Sequence, residues 1–142
     1  MDDCIMCNLV KNKISYSGMV KHFKHWSLMV SREQHTLGTF ILVLNQHKIR
    51  FSSLDIEELK EMKEIMLIYE NVIDENFHPN LYNYLQCGNA VNHLHIHIIP
   101  RYNTDKRFMG QNYTDKNFGN TVIETSKIEN EKIILALKDL FL

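Results

Sequence analysis

Apolar and polar positions follow several distinct periods along this chain. Residues 18–23 and 26–31 predict two strands joined by a tight turn at Lys24-His25, and the second, Trp26-Ser27-Leu28-Met29-Val30-Ser31, is dense in strand formers. Thr39-Phe40-Ile41-Leu42-Val43-Leu44 is a continuous apolar run and predicts a buried central strand. The period then lengthens to three and four. Ile56, Leu59, Met62, Ile65, Met66, Tyr69, Val72 and Ile73 trace one face of a long helix. Asp55 and Glu58, at capping-box spacing, start it. His78-Pro79 ends it, because the residue before a proline avoids the helical region. Leu81-Tyr82-Asn83-Tyr84-Leu85 predicts a further strand, Cys87-Gly88-Asn89 a turn, and residues 93–99 alternate again. Residues 4–13 predict a short helical turn and residues 101–122 a long polar loop. Ser126 and Glu129 predict a second capping box, opening a C-terminal helix with Ile128, Ile133, Ile134, Leu137 and Phe141. Strands on both sides of one long helix predict an α+β fold with a mostly antiparallel sheet.

With 142 residues, two prolines, no repeat and no linker-like stretch, residues 1–142 are expected to form a single domain. A net charge of -1 with scattered lysines argues against a nucleic acid polymer as partner, while one positive pocket for a small anion stays compatible with it. No apolar run reaches the roughly 20 residues a membrane span needs. The start Met1-Asp2-Asp3-Cys4 lacks the basic and long apolar regions of a secretory signal. Three cysteines, an odd number, do not suggest a disulfide framework, so the expected compartment is the cytoplasm.

The alternating segment His93-Leu94-His95-Ile96-His97-Ile98-Ile99-Pro100 carries the candidate chemistry. On a strand its three imidazoles face one side, about 6.5–7 Å apart, while Leu94, Ile96 and Ile98 face the other. Such a row can be a solvated face, a three-histidine zinc site or a nucleophilic centre. Zinc-nitrogen bonds of about 2 Å require converging donors, and imidazoles at i, i+2 and i+4 of one strand diverge. A neutral imidazole is a good nucleophile near neutral pH, and neighbouring imidazoles can orient it and donate to phosphate oxygens.

The segment resembles the histidine-triad motif, His-φ-His-φ-His-φ-φ with φ apolar, and the trailing Pro100-Arg101-Tyr102 resembles bacterial members of that family. The resemblance extends through Gly88-Asn89-Ala90-Val91-Asn92 and through Gly38 to His47, and with Cys4 and Cys7 it covers most of residues 4–102. It implies a histidine-triad fold and a nucleotidyl hydrolase or transferase acting on the α-phosphate of a nucleotide. By that analogy His95 is the nucleophile of a covalent nucleotidyl-imidazole intermediate, and His97 contacts phosphate oxygens and helps protonate the leaving group. Asn89 lies where many relatives carry a phosphate-contacting glutamine, and Asn83 near their ribose- or phosphate-contacting asparagine. Ser31 replaces an aspartate that holds the ribose hydroxyls, and a serine cannot accept two hydrogen bonds as a carboxylate does. Trp26, Leu28 and Val30 are candidates for a base pocket or for the core. Dinucleoside polyphosphates and nucleoside phosphoramidates are the implied substrates, magnesium accompanying a polyphosphate. A nucleotide-binding regulator with little turnover is the alternative.

Cys4-Ile5-Met6-Cys7 is a Cys-x-x-Cys pair, which alone suits a metal, a redox couple or a buried pair. Bacterial histidine-triad relatives with this pair bind a structural zinc through positions that map onto Cys4, Cys7, His47 and His93. His35 is the competitor for His47, and His22, His25 and His78 read as surface residues. The resemblance also implies a homodimer.

Overall fold

The computed structural model describes residues 3–125 and 127–142. Its principal sheet contains β1 (Met19–His22), β2 (Trp26–Val30), β3 (Phe40–Leu44), β4 (Leu81–Leu85) and β5 (His95–Arg101). Their order is β1-β2-β3-β5-β4, and every neighbouring pair is antiparallel. The helices are α1 (Ile5–Val10), α2 (Ile56–Phe77) and α3 (Glu131–Asp139). The α+β fold and antiparallel sheet are those expected from the sequence.

Strand alternation gives the sheet two different faces. On one, Leu28, Phe40, Leu42, Leu44, Leu94, Ile96 and Ile98 pack against Ile65, Tyr69, Ile73 and Phe77 of α2 and against Ile133, Ile134 and Leu137 of α3. Each such buried side chain contributes about 1.5–3 kcal/mol. On the other face Met29 and Val43 pack against Met6 of α1. His95 is paired with Val43 and His97 with Ile41, so these two histidines belong to the second, α1-bearing face.

Three expectations differ from the structure, and a fourth falls in part on an undescribed residue. The histidine strand begins at His95, not His93. The His93 amide donates to Val91 O at 3.0 Å and the Leu94 amide to Lys48 O at 2.8 Å, so this stretch is still turning onto the sheet. Residues 101–122 are not one loop: β5 runs to Arg101, and β6 (Lys106–Phe108) and β7 (Gln111–Tyr113) form a separate hairpin. Arg101 is 1% exposed and donates to both carboxylate oxygens of Asp115 at 2.7 and 3.0 Å, which pins the segment after the hairpin to the sheet. The helix stripe also starts later than its period suggests, with Ile56 76% exposed. Glu58 takes the buried place, accepting from the Asp55 amide at 2.8 Å and from Lys48 Nζ at 2.6 Å. Finally, the expected capping box at Ser126 lies outside the described residues. The last helix begins at Glu131, with Asn130 Oδ1 accepting from the Ile133 amide at 3.1 Å.

The loop joining β2 to β3 bears on the site, and the Gln34 side chain ties its two ends together. Gln34 Oε1 accepts from the amides of Gly38 at 2.8 Å and Thr39 at 3.2 Å, while its Nε2 donates to Ser31 O and Thr39 O at 2.8 and 2.7 Å. Gly38 sits at φ +91, where an added Cβ would be strained and would meet Pro100 Cγ at 3.3 Å.

Candidate functional site

The cysteine pair is shaped by α1. Cys4 caps that helix, its sulfur accepting from the Cys7 amide at 3.5 Å, so both sulfurs lie on one side of a single turn. His47 follows β3 and His93 precedes β5. Because these strands are antiparallel neighbours, the end of one meets the start of the other. The four donor atoms lie within 4.8 Å of one another. Cys4 Sγ is 3.4 Å and Cys7 Sγ 3.5 Å from His93 Nδ1; His47 Nδ1 is 3.3 Å from Cys7 Sγ and 3.1 Å from His93 Nδ1. A tetrahedral ion with bonds of about 2.0–2.1 Å to nitrogen and 2.3 Å to sulfur gives edges of about 3.3–3.6 Å for these pairs. The residues therefore fit a metal ion with zinc's preferences.

His93 is oriented for that task. Its Nε2–H donates to Leu44 O at 2.7 Å, which leaves the Nδ1 lone pair on the side of the cysteines. Burial holds its pKa below the usual imidazole value, and His47 and His95 add to that. The ring is thus neutral, as a ligand must be. Burial, followed by the neighbouring Cys4, pushes the Cys7 thiol up, and a bound cation opposes that shift.

His95 stands apart from this cluster. It is 7% exposed, and its Nδ1 lies 2.6 Å from His93 O. A carbonyl only accepts, so Nδ1 carries a proton, and in the neutral ring the lone pair is on Nε2. The His97 ring centroid is 5.3 Å away at 66°. His97 Nδ1 is buried without a partner among the described residues. Burial, then the nearby His95 and His35, lower the His97 pKa to about 4, so the ring is neutral at pH 7.

Two cavities meet at His97. One, of about 470 Å³, is lined by His35, Cys87, Asn89, His95, His97 and Glu124 among others. The other, of about 380 Å³, is mainly apolar and is lined by Leu9, Tyr16, Met29, Ser31, Ile41 and His97 among others. Tyr16 is fixed there by donating to Val30 O at 2.6 Å. A pair of cavities sharing an imidazole can hold the two halves of a substrate on either side of a reacting atom.

The structure brings His95, His97, Asn89 and Ser31 to these cavities. Ser31 Oγ donates to Glu33 O at 3.0 Å, so its hydroxyl proton is already committed. Asn83 is not brought there. It shares the histidine face through its pairing with Ile99, but its Oδ1 accepts from Arg101 Nη1 at 2.6 Å and it lines another cavity with Tyr82 and Tyr84. Trp26 and Leu28 are core residues, Trp26 Nε1 donating to Glu58 O at 2.8 Å, whereas Val30 lines the apolar cavity together with Leu9, Met29 and Ile41. His35 lies beside His97 rather than beside the cysteines, while His78 is exposed and His22 and His25 are half-buried. Tyr16 and His35 also line these cavities, although the sequence does not single them out for this place. Neither belongs to a local motif, and only the fold brings them to His97.

Comparison with known proteins agrees with this architecture. The HIT domain profile matches residues 12–104. An uncharacterized HIT-like protein of Mycoplasma genitalium is 27% identical over 110 residues, covering 74% of this chain and 77% of that protein. A hypothetical histidine triad nucleotide-binding protein from Sulfolobus tokodaii superposes with a TM-score of 0.73 at 17% identity, covering 97% of this chain and 89% of that one. A Zn-bound histidine triad family protein from Mycobacterium smegmatis gives a TM-score of 0.67 at 17% identity, with 99% and 94% covered. Plasmodium falciparum diadenosine triphosphate hydrolase gives 0.64 at 19% identity, with 90% and 76% covered. The matched profile spans the sheet, the long helix and the histidine strand together, and the chain belongs to the HIT domain family.

Proposed function

We propose that this chain is a nucleotidyl hydrolase or transferase in which His95 attacks the α-phosphorus of a dinucleoside polyphosphate or nucleoside phosphoramidate. The observation that carries the reading is the hydrogen bond from His95 Nδ1 to the His93 carbonyl, which makes Nε2 the nucleophilic nitrogen of the neutral ring, beside His97. In the first step Nε2 forms a bond to phosphorus, and the bond to the leaving group breaks with its electron pair. The leaving group takes a proton from His97, the imidazole beside His95, which first gains that proton from solvent as the anionic phosphate binds next to it. In the second step water, or another acceptor, breaks the phosphorus-nitrogen bond and frees the nucleotide and His95. His97 begins neutral, and an anionic phosphate beside it offsets the burial that depresses its pKa. Asn89 and Ser31 are the proposed substrate contacts in the two cavities. The diadenosine triphosphate hydrolase that shares this fold supports the substrate class.

Zinc is the proposed occupant of the cluster of Cys4, Cys7, His47 and His93, where it would act as a closed structural tie between α1 and the strand ends. The Zn-bound relative supports this assignment. Among the described residues that cluster groups no carboxylates, so magnesium enters the proposal only as a companion of a polyphosphate substrate.

The proposed working unit is a homodimer of single-domain chains, paired through β4. Both β1 and β4 are edges. β1 carries Lys21 and a register irregularity, which blunt an edge, whereas β4 has no charged residue and exposes Leu81 and Tyr84. No helix among the described residues is long and apolar enough to cross a membrane. Three free cysteines agree with the cytoplasm as the proposed compartment.

Turnover of an adenosine phosphoramidate and a diadenosine polyphosphate, followed by chromatography of the released mononucleotide, tests the reaction. Calorimetric binding of a mononucleotide with no product from either substrate would favour the regulator reading instead.

A further inference from the structure

The His35 ring centroid lies 6.5 Å from that of His97, and His35 lines the same cavity as His95. In space the row of imidazoles at this cavity is His95, His97 and His35, with His93 turned to the cysteines.

Three observations describe what His35 presents. The Thr125 amide donates to its Nδ1 at 3.2 Å. A backbone amide can only donate, so Nδ1 holds the lone pair and Nε2 carries the proton. Nε2 has no acceptor within hydrogen-bond distance among the described residues; the Glu33 carboxylate is 4.0 Å away. The side chain is only 9% exposed, and the loop that carries it is braced by the four hydrogen bonds of Gln34. A fixed, shielded N–H donor without a partner therefore stands beside a cavity that already holds a nucleophilic imidazole and a second neutral one.

We infer that His35 is a further substrate-binding residue, donating from Nε2–H to an oxygen of the phosphoryl group held between His95 and His97. Two donors each about 2.9 Å from different oxygens of one phosphoryl group are themselves several ångströms apart, in keeping with the spacing of His35 and His97. The oxygens of that group gain negative charge as His95 bonds to phosphorus, so a preorganised donor strengthens its hold in the transition state. The Thr125 amide fixes the tautomer of His35, and its near neighbours Val122 and Glu124 line the cavity.

This inference rests on the proposal that the cavity receives a nucleotide phosphate, and two readouts separate the two claims. The first is kinetic, on wild type, His35→Ala and His35→Gln. His35→Ala should lose about ten- to a hundredfold in kcat/KM, and His35→Gln, which keeps an N–H donor, should recover part of that. The second is binding of AMP and GMP by calorimetry, which needs no turnover. His35→Ala should bind the nucleotide favoured by wild type at least fivefold more weakly, with His35→Gln between the two. Melting curves and metal content of the variants confirm that each is folded, and His35→Gln serves alone if the alanine variant is not. Wild-type binding without turnover would overturn the catalytic proposal while leaving His35 to be judged by affinity. Unchanged affinity and unchanged kcat/KM in a folded His35 variant would overturn the role of His35.

Discussion

The carbonyl of His93 accepts the ring N–H of His95 at 2.6 Å, while the ring of His93 lies among Cys4, Cys7 and His47. One residue thus completes the candidate metal-binding cluster with its side chain and sets the tautomer of the proposed nucleophile with its backbone. A disturbance of the cluster is expected to reach His95 through this bond.

Metal content follows from that cluster. Purified wild-type chain should carry about one zinc per chain. Cys7→Ser should lose it and melt at a lower temperature, whereas His95→Ala should keep it. Turnover of the cysteine variant should fall about ten- to a hundredfold without any ligand touching the substrate, as expected when the support of a reactive side chain is lost. Elemental analysis beside melting curves checks this, and zinc retained by folded Cys7→Ser would contradict the assignment.

His97 gives stability a pH dependence. In the folded chain it titrates near pH 4, against an ordinary value of 6.5, chiefly because it is buried. Between those values the unfolded chain binds the proton and the folded chain does not, so stability should fall as pH drops from 6.5 to 4. For this half-buried ring the loss is on the order of 1–3 kcal/mol. Urea unfolding at several pH values should give a shallower slope for His97→Gln, and an identical slope would contradict it.

The Arg101–Asp115 pair is buried on both sides, with 1% and 2% of the side chains exposed. Burial raises the Asp115 pKa, but the hydrogen bonds and charge of Arg101, together with the Tyr102 amide, outweigh it and hold the carboxyl below its usual value. Asp115→Ala leaves the guanidinium buried and should cost about 3–5 kcal/mol in urea unfolding. Replacing both partners with apolar residues should cost less than that single change.

The proposed pairing of β4 edges predicts a solution mass of twice the 16.8 kDa chain. Tyr84→Lys places a charge on that edge and should shift the chain to monomer in light scattering. A wild-type monomer at tens of micromolar would overturn the dimer.

Much of this molecule can be read in its sequence, and the exceptions have physical causes. The period of two around His95 and His97 and the period near 3.6 in residues 56–77 are local, and both appear as a strand and a helix, the helix burying the later part of its expected face at Ile65, Tyr69 and Ile73. His93 departs because its amide and that of Leu94 bond outside the strand ladder, which alternation cannot reveal. Asn83 looks like a ligand until Arg101, eighteen positions away, is seen to hold it. The hairpin within residues 101–122 has strands too short and polar to stand out, and it is tied to the sheet by the Arg101–Asp115 pair. Tyr16 precedes β1 and is placed by its bond to Val30 of β2, and His35 lies in the loop between β2 and β3, so both reach His97 only through the assembled sheet.

The most direct test of the central claim is to quench the wild-type protein with a phosphorus-labelled substrate during turnover and map the label by mass spectrometry. A nucleotidyl group on His95, stable in base and lost in acid, with no label and no turnover in folded His95→Ala, is the predicted result. Turnover by His95→Ala at the wild-type rate, or label on another residue, would contradict it.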